Sequence, residues 1–281
     1  MIGQALGGDT THAGRMSFAN RVGMLSGPPL VGMMWDMFGG WGAFSILFLW
    51  GIGVLVATLS IPAAATAPPT AQTFRARDLL PRLSDYGGAF RLLKIRPLAF
   101  IILVATLIIL GEGVQHSFYI VYCQTIGLQG TSIGILVAAP AVLGGVGALT
   151  SGWLSKIFDP NRLLLTSAIG TAVLMGIVPL LGAFLPLLIS NSLRGGLLGI
   201  NQPILISGTV GSVARDQQGQ AVGLRSTINR FGHVGMPMVM GVTVKIVGLE
   251  NSFFLMGTIV VGLMLASGLL LRNMSDNGTR R

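Results

Sequence analysis

Long apolar runs alternate with short polar or glycine-rich connections along most of the chain. A helix rises about 1.5 Å per residue and the hydrocarbon core of a bilayer is about 30 Å thick, so a span needs roughly 20 apolar residues. Eight stretches meet that need: 17–38, 41–61, 97–123, 131–154, 163–184, 186–210, 221–247 and 252–271. They predict an all-α multi-pass membrane protein. One long connection interrupts the series. It begins with an Ala, Pro and Thr run over 63–73 and continues as a mixed basic and apolar segment. Leu79, Leu80, Leu83, Phe90 and Leu93 recur there at near-helical spacing. This predicts a short amphipathic helix on the membrane surface, with a flexible linker as the alternative.

Composition agrees with a bilayer as solvent. The 281 residues are 52% hydrophobic and 10% charged, with a mean hydropathy of +0.75, whereas a soluble domain carries about 25% charged residues. The net charge of +9 would raise nucleic acid as a partner if the basic residues clustered on a water-exposed face. Instead, 16 of the 18 Lys and Arg fall in every second connection or at the adjoining span ends. The alternate connections around 39–42, 124–130 and 182–186 hold none. By the positive-inside rule this places both termini in the cytoplasm, in the plasma or inner membrane, and removes the case for nucleic acid. Lys245 and Arg194 are the two exceptions, the second lying inside a span. One cysteine, Cys123, and three scattered histidines, His12, His116 and His233, give no disulfide, metal or redox constellation. No cofactor is expected beyond a proton as coupling ion.

An internal repeat appears when the sequence is shifted by 209 positions. Gly14, Ser17, Asn20, Arg21, Gly23, Pro28, Gly32, Gly39 and Phe44 meet Gly223, Ser226, Asn229, Arg230, Gly232, Pro237, Gly241, Gly248 and Phe253. Nine identities across 31 positions exceed the roughly two or three that a glycine-rich composition gives by chance. Both copies start at a basic connection and run the same way, so the repeat is parallel, with its axis along the membrane normal. Two-bundle secondary transporters have that symmetry.

These residues resemble the major facilitator superfamily, particularly its proton-coupled drug-efflux branch. Gly14, Gly23, Gly27, Pro28 and Gly32 are similar to the antiporter signature of that branch's fifth helix, with Val31 where the family has the first glycine of a pair. Gly152-Trp153-Leu154-Ser155-Lys156, followed by Asp159 and Arg162, resembles the loop motif between helices eight and nine, with Lys156 where an acid is commoner. The resemblance implies a two-bundle fold read as helices five to twelve, apparently lacking the first four. Residues 1–62 would be the remnant of an N-terminal bundle, 63–96 the basic cytoplasmic linker, and 97–281 a six-helix C-terminal bundle. It also implies alternating-access transport of a small organic solute, with proton-coupled efflux as the favoured mode, and a missing N-terminal segment or a partner subunit to complete the cavity. A non-transporting truncated remnant and a membrane-embedded enzyme are the alternatives.

Ionisable groups within a span are costly, and so are functional candidates. Glu112, His116 and Tyr119 lie at i, i+4 and i+7, on one face of a helix. Asn191, Arg194 and Asn201 are expected to share a face in the same way. Glu112 and Arg194 lie at similar depths, about 15 Å and about 12 Å from the non-basic ends by helical rise, so an ion pair is geometrically open. Such a pair could exchange partners with a proton or solute, or could be a permanent packing contact. The glycines and prolines of both repeat copies, with Gly144-Gly145-Val146-Gly147 and Gly51-Ile52-Gly53, read as close helix packing. Asn229 and Arg230, shared with the first copy, suggest a common inter-helix contact. Asn277-Gly278-Thr279 matches a glycosylation pattern but lies in the predicted cytoplasmic tail.

Overall fold

The computed structural model describes the backbone of residues 10–60, 88 and 90–278, with side chains described over 22–60, 88 and 90–269. The helices are α1 (Thr10–Leu59), α2 (Arg96–Thr125), α3 (Gly130–Ile157), α4 (Pro160–Gly176), α5 (Val178–Leu181), α6 (Phe184–Gly211), α7 (Gln218–Val247) and α8 (Leu249–Gly278). The eight apolar stretches are helical over most of their described length, with 163–184 interrupted, and the described residues contain no strand. Four segments are long and apolar enough to cross a membrane: 22–59 of α1, α2, α3 and 249–269 of α8. The protein is an all-α multi-pass membrane protein. The predicted surface helix lies largely outside the described residues. Its described end forms a 3-10 turn, Leu92–Lys94, with Leu92 buried against Leu98, Ile102, Ala221 and Leu224.

The repeat is visible in the backbone. Gly39 breaks α1 with φ 63° and ψ −155°, and its counterpart Gly248 ends α7 with φ 85° and ψ 167°. A residue with a Cβ is strained at either position, which accounts for glycine at the same place in both copies. The break in α1 turns the chain back on itself, since a Cβ on Gly42 would lie 2.6 Å from the carbonyl oxygen of Met34, eight residues earlier. One expected span is divided. The stretch 163–184 is interrupted at Ile177 and resumes as the single turn α5. Pro179 has no N–H to donate to the carbonyl four residues back, which favours a break at this point. Tyr122 Oη donates to the Pro179 carbonyl at 3.2 Å and so satisfies an acceptor freed near the break.

Helices α2, α4, α6 and α8 enclose one apolar core around Val104, Leu164, Ala168, Leu205, Val260 and Met264. A second core, nearer the non-basic end, gathers Tyr122, Leu136, Met175, Leu187, Met240 and Phe253, with the Tyr122 and Phe253 rings edge to face at 5.9 Å. Glycines set the closest contacts. Gly144 and Gly147 of α3 lie against the backbone of Gly195, Gly196 and Gly199 of α6, and Gly195 lies against Pro140. Gly176 and Gly257 bring α4 and α8 together equally closely. The packing read for the 144–147 glycine run is therefore present, whereas Gly51 and Gly53 face open space.

Helix α1 meets this assembly through α3. Gly32 lies against the carbonyl of Gly130, and Gly134 against that of Pro28. Gln129, the residue before α3, makes no side-chain cap. Asp36 caps the helix from across the interface. Its Oδ1 accepts from Gly130 N at 2.7 Å, and its Oδ2 accepts from Thr131 N at 2.7 Å and Thr131 Oγ1 at 2.6 Å. A carboxylate at a helix N-terminus is favoured both by the free N–H groups and by the helix dipole. Asp36→Ala is expected to lower the unfolding midpoint, because the N–H groups of Gly130 and Thr131 lose their acceptor. Asp36→Asn, which keeps one acceptor, should lose less. Thermal unfolding in detergent reads both, and an unchanged midpoint in Asp36→Ala would show that the cap adds nothing.

Candidate functional site

A cavity of about 440 Å³ lies where α1, α2, α3 and α6 converge. From α2 it receives Glu112, Gln115, His116 and Tyr119, and from α6 Asn191, Arg194 and Gln202. Helical spacing explains the α2 contribution, since residues three, four and seven apart recur on one face. Met24 of α1 and Pro140 of α3 complete the wall between them.

The polar groups form a small network built on a helix defect. Pro140 lacks an N–H, so the carbonyl of Leu136, four residues earlier in α3, loses its helical partner. Asn191 Nδ2 donates to that carbonyl at 2.6 Å. Asn191 Oδ1 then accepts from Gln115 Nε2 and from Arg194 Nε, each at 3.2 Å. One asparagine thereby fixes the arginine of its own helix and ties α2 to α3 and α6. Arg194 is 6% exposed and Asn191 4%. Glu112 is half-buried and His116 exposed on the cavity.

The structure brings Glu112 and Arg194 to one cavity without joining them. Among the described residues no Glu112 oxygen comes within the 4.0 Å of an ion pair with Arg194, and Arg194 is hydrogen-bonded through Nε to Asn191. Asn201 is not on the cavity. It is buried at 1% exposure, and its Oδ1 accepts from Ser167 of α4 in a short hydrogen bond. Ten residues at about 100° each carry it roughly 80° round the helix from Asn191, onto the α4 side. Gln202, the next residue, faces the cavity instead. The sequence reading missed Gln202, Gln115 and the part played by Pro140. A signal for two of them was present: Gln115 stands at i+3 from Glu112, and a proline inside an apolar run implies a free carbonyl.

The repeat motifs separate into contact and open positions. Pro28 and Gly32 pack on α3, while a Cβ added at Gly23 or Gly27 would have no neighbour within 4 Å. Gly14 falls where side chains are not described. In the second copy a Cβ added at Gly232 would lie 2.9 Å from Ile109 Cγ2, whereas Gly241 faces open space. Pro237 lies within α7. Asn229 Oδ1 is buried with no partner among the described residues, and Arg230 is exposed. In the loop motif Gly152, Lys156, Asp159 and Arg162 are all exposed. Asp159 is the N-cap of α4, its Oδ1 accepting from Arg162 N at 2.9 Å.

The family model of the Major Facilitator Superfamily matches residues 107–280, more than half of the chain and nearly all of α2 through α8. The chain belongs to the major facilitator superfamily. Curated proteins give no match to it. Membership makes it an integral membrane protein of a transporter family, and the cavity residues from Glu112 to Gln202 all fall inside the matched region.

Proposed function

We propose that the protein is a secondary active transporter that moves a small organic solute by alternating access, coupled to protons and running as efflux. It would sit in the plasma or inner membrane with both termini cytoplasmic, as the basic connections indicate. The observation that carries this reading is the cavity with Glu112 and Arg194 on its wall, unpaired with each other. A carboxyl group within a span, near a cation that it does not contact, can gain and lose a proton as the distance between them changes. His116, next on the same face, is a second group able to take part. The antiporter-like glycines of α1 favour exchange, in which proton entry drives solute exit.

The test is proton flux in proteoliposomes carrying an internal pH dye, with a panel of small organic cations, anions and zwitterions added against an imposed pH gradient. Solute-dependent proton flux is expected in the wild-type protein. Glu112→Gln should reduce it by about tenfold or more, the size of effect of removing a positioned proton carrier. Unchanged coupled flux in that variant would take Glu112 out of the coupling.

A further inference from the structure

Arg194 and Glu112 bring opposite charges to one cavity, and among the described residues no ion pair within 4.0 Å joins them. Arg194 offers five N–H donors in a planar fork, and among the described residues its one hydrogen bond is through Nε to Asn191. Arg194 and Glu112 both line the cavity. Gln115 and Tyr119 line the same wall, with Gln115 Oε1 and Tyr119 Oη enclosed behind it and without a hydrogen-bond partner among the described residues. A buried charge without a counter-charge is costly, and a ligand that supplies one binds correspondingly well.

We propose that the solute is a zwitterion: a small organic molecule whose carboxylate is held by the Arg194 fork and whose ammonium is held by Glu112. A simple anion would satisfy Arg194 and be repelled by Glu112, and a simple cation would meet the reverse. A zwitterion satisfies both at once. The fork geometry favours a planar, two-oxygen acceptor such as carboxylate. Asn191 is the positioning residue, since it holds Nε and leaves the outer edge of the guanidinium facing the cavity. The assignment rests on the cavity being the transport site, and it is compatible with exchange, because the ammonium and a proton compete for the same carboxylate.

Three probes that share a phenyl group but differ in charge test it: phenylalanine, 3-phenylpropanoate and 2-phenylethylamine, titrated calorimetrically into the full chain in detergent. Phenylalanine is expected to bind at least about tenfold tighter than either of the others, the worth of one more charge-assisted contact. Arg194→Gln should bring it to the level of 2-phenylethylamine, and Glu112→Gln to that of 3-phenylpropanoate. If Arg194→Gln does not fold, Arg194→Lys keeps the charge and loses the fork, and should weaken phenylalanine while leaving the amine unchanged. Phenylalanine binding no tighter than the singly charged probes, or none of the three binding, overturns the zwitterion. If the amine binds best and exchanges for protons in vesicles, the transporter reading stands and the zwitterion falls. Tight phenylalanine binding without any coupled proton flux would leave the zwitterion site and remove the transporter reading.

Discussion

Gly147→Val is expected to abolish recovery of folded protein, or to lower its stability by about 3 kcal/mol or more. The Gly147 position faces the carbonyl of Gly196 and the backbone of Ile200 on α6, so a side chain there meets main chain that cannot rotate aside. Small residues let two membrane helices approach to backbone contact, and that contact is the principal attraction between them in lipid. Three further contacts, at Gly144, Gly195 and Gly199, share the same seam, so the helices could not separate locally without losing all of them. Monodisperse yield and the unfolding midpoint in detergent measure the effect. Gly152→Ala is the control, because Gly152 lies on the same helix with open space around it. It should be neutral or slightly stabilising, as glycine to alanine is in an exposed helix. Equal behaviour of the two variants would refute the seam.

The second large effect is expected at Asn191. Asn191→Ala removes the partner of the Leu136 carbonyl, of Gln115 Nε2 and of Arg194 Nε together. Leaving buried polar groups unpaired costs about 1–3 kcal/mol for each, so a total of about 2–4 kcal/mol is expected after partial relaxation. The structure also names a compensating change. Pro140→Ala restores an N–H four residues after Leu136, so the helix can satisfy its own carbonyl. In the double variant the loss should therefore be smaller than the sum of the single losses by about 1 kcal/mol, a coupling that a thermodynamic cycle on unfolding midpoints reads directly. Strict additivity would show that the Leu136 carbonyl does not depend on Asn191.

The sequence made the helices legible because the bilayer imposes a length on every span, and it made the repeat legible because Gly39 and Gly248 serve the same backbone break. The clustering of Glu112, His116 and Tyr119 followed from helical period alone. Period specifies which residues share a face, and it does not say which neighbour that face meets. Asn201 shows the limit: it lies roughly 80° round α6 from Asn191 and meets Ser167 of α4. Asp36 shows another. Its three hydrogen bonds reach residues 94 and 95 positions away, and nothing local in the sequence marks it as the cap of another helix. Glycines posed the same difficulty. Gly27 and Gly32 look alike in the motif, and only the path of α3 decides that Gly32 makes backbone contact while Gly27 does not.

The repair of α3 at Pro140 restricts how the molecule can move. A carbonyl whose partner is a side chain of α6 stays satisfied only while α3 and α6 keep their relative position, and the glycine seam along the same helices has the same requirement. Any rocking of the molecule that keeps these contacts would have to carry the two helices together. Between α1 and α3, by contrast, the side-chain hydrogen bonds come from Asp36 at one end of the interface, with glycine and proline backbone contacts beside it. A rocking motion that opened the cavity at the non-basic end would part that joint first, with the exposed Asp36 carboxylate exchanging its Gly130 and Thr131 donors for water.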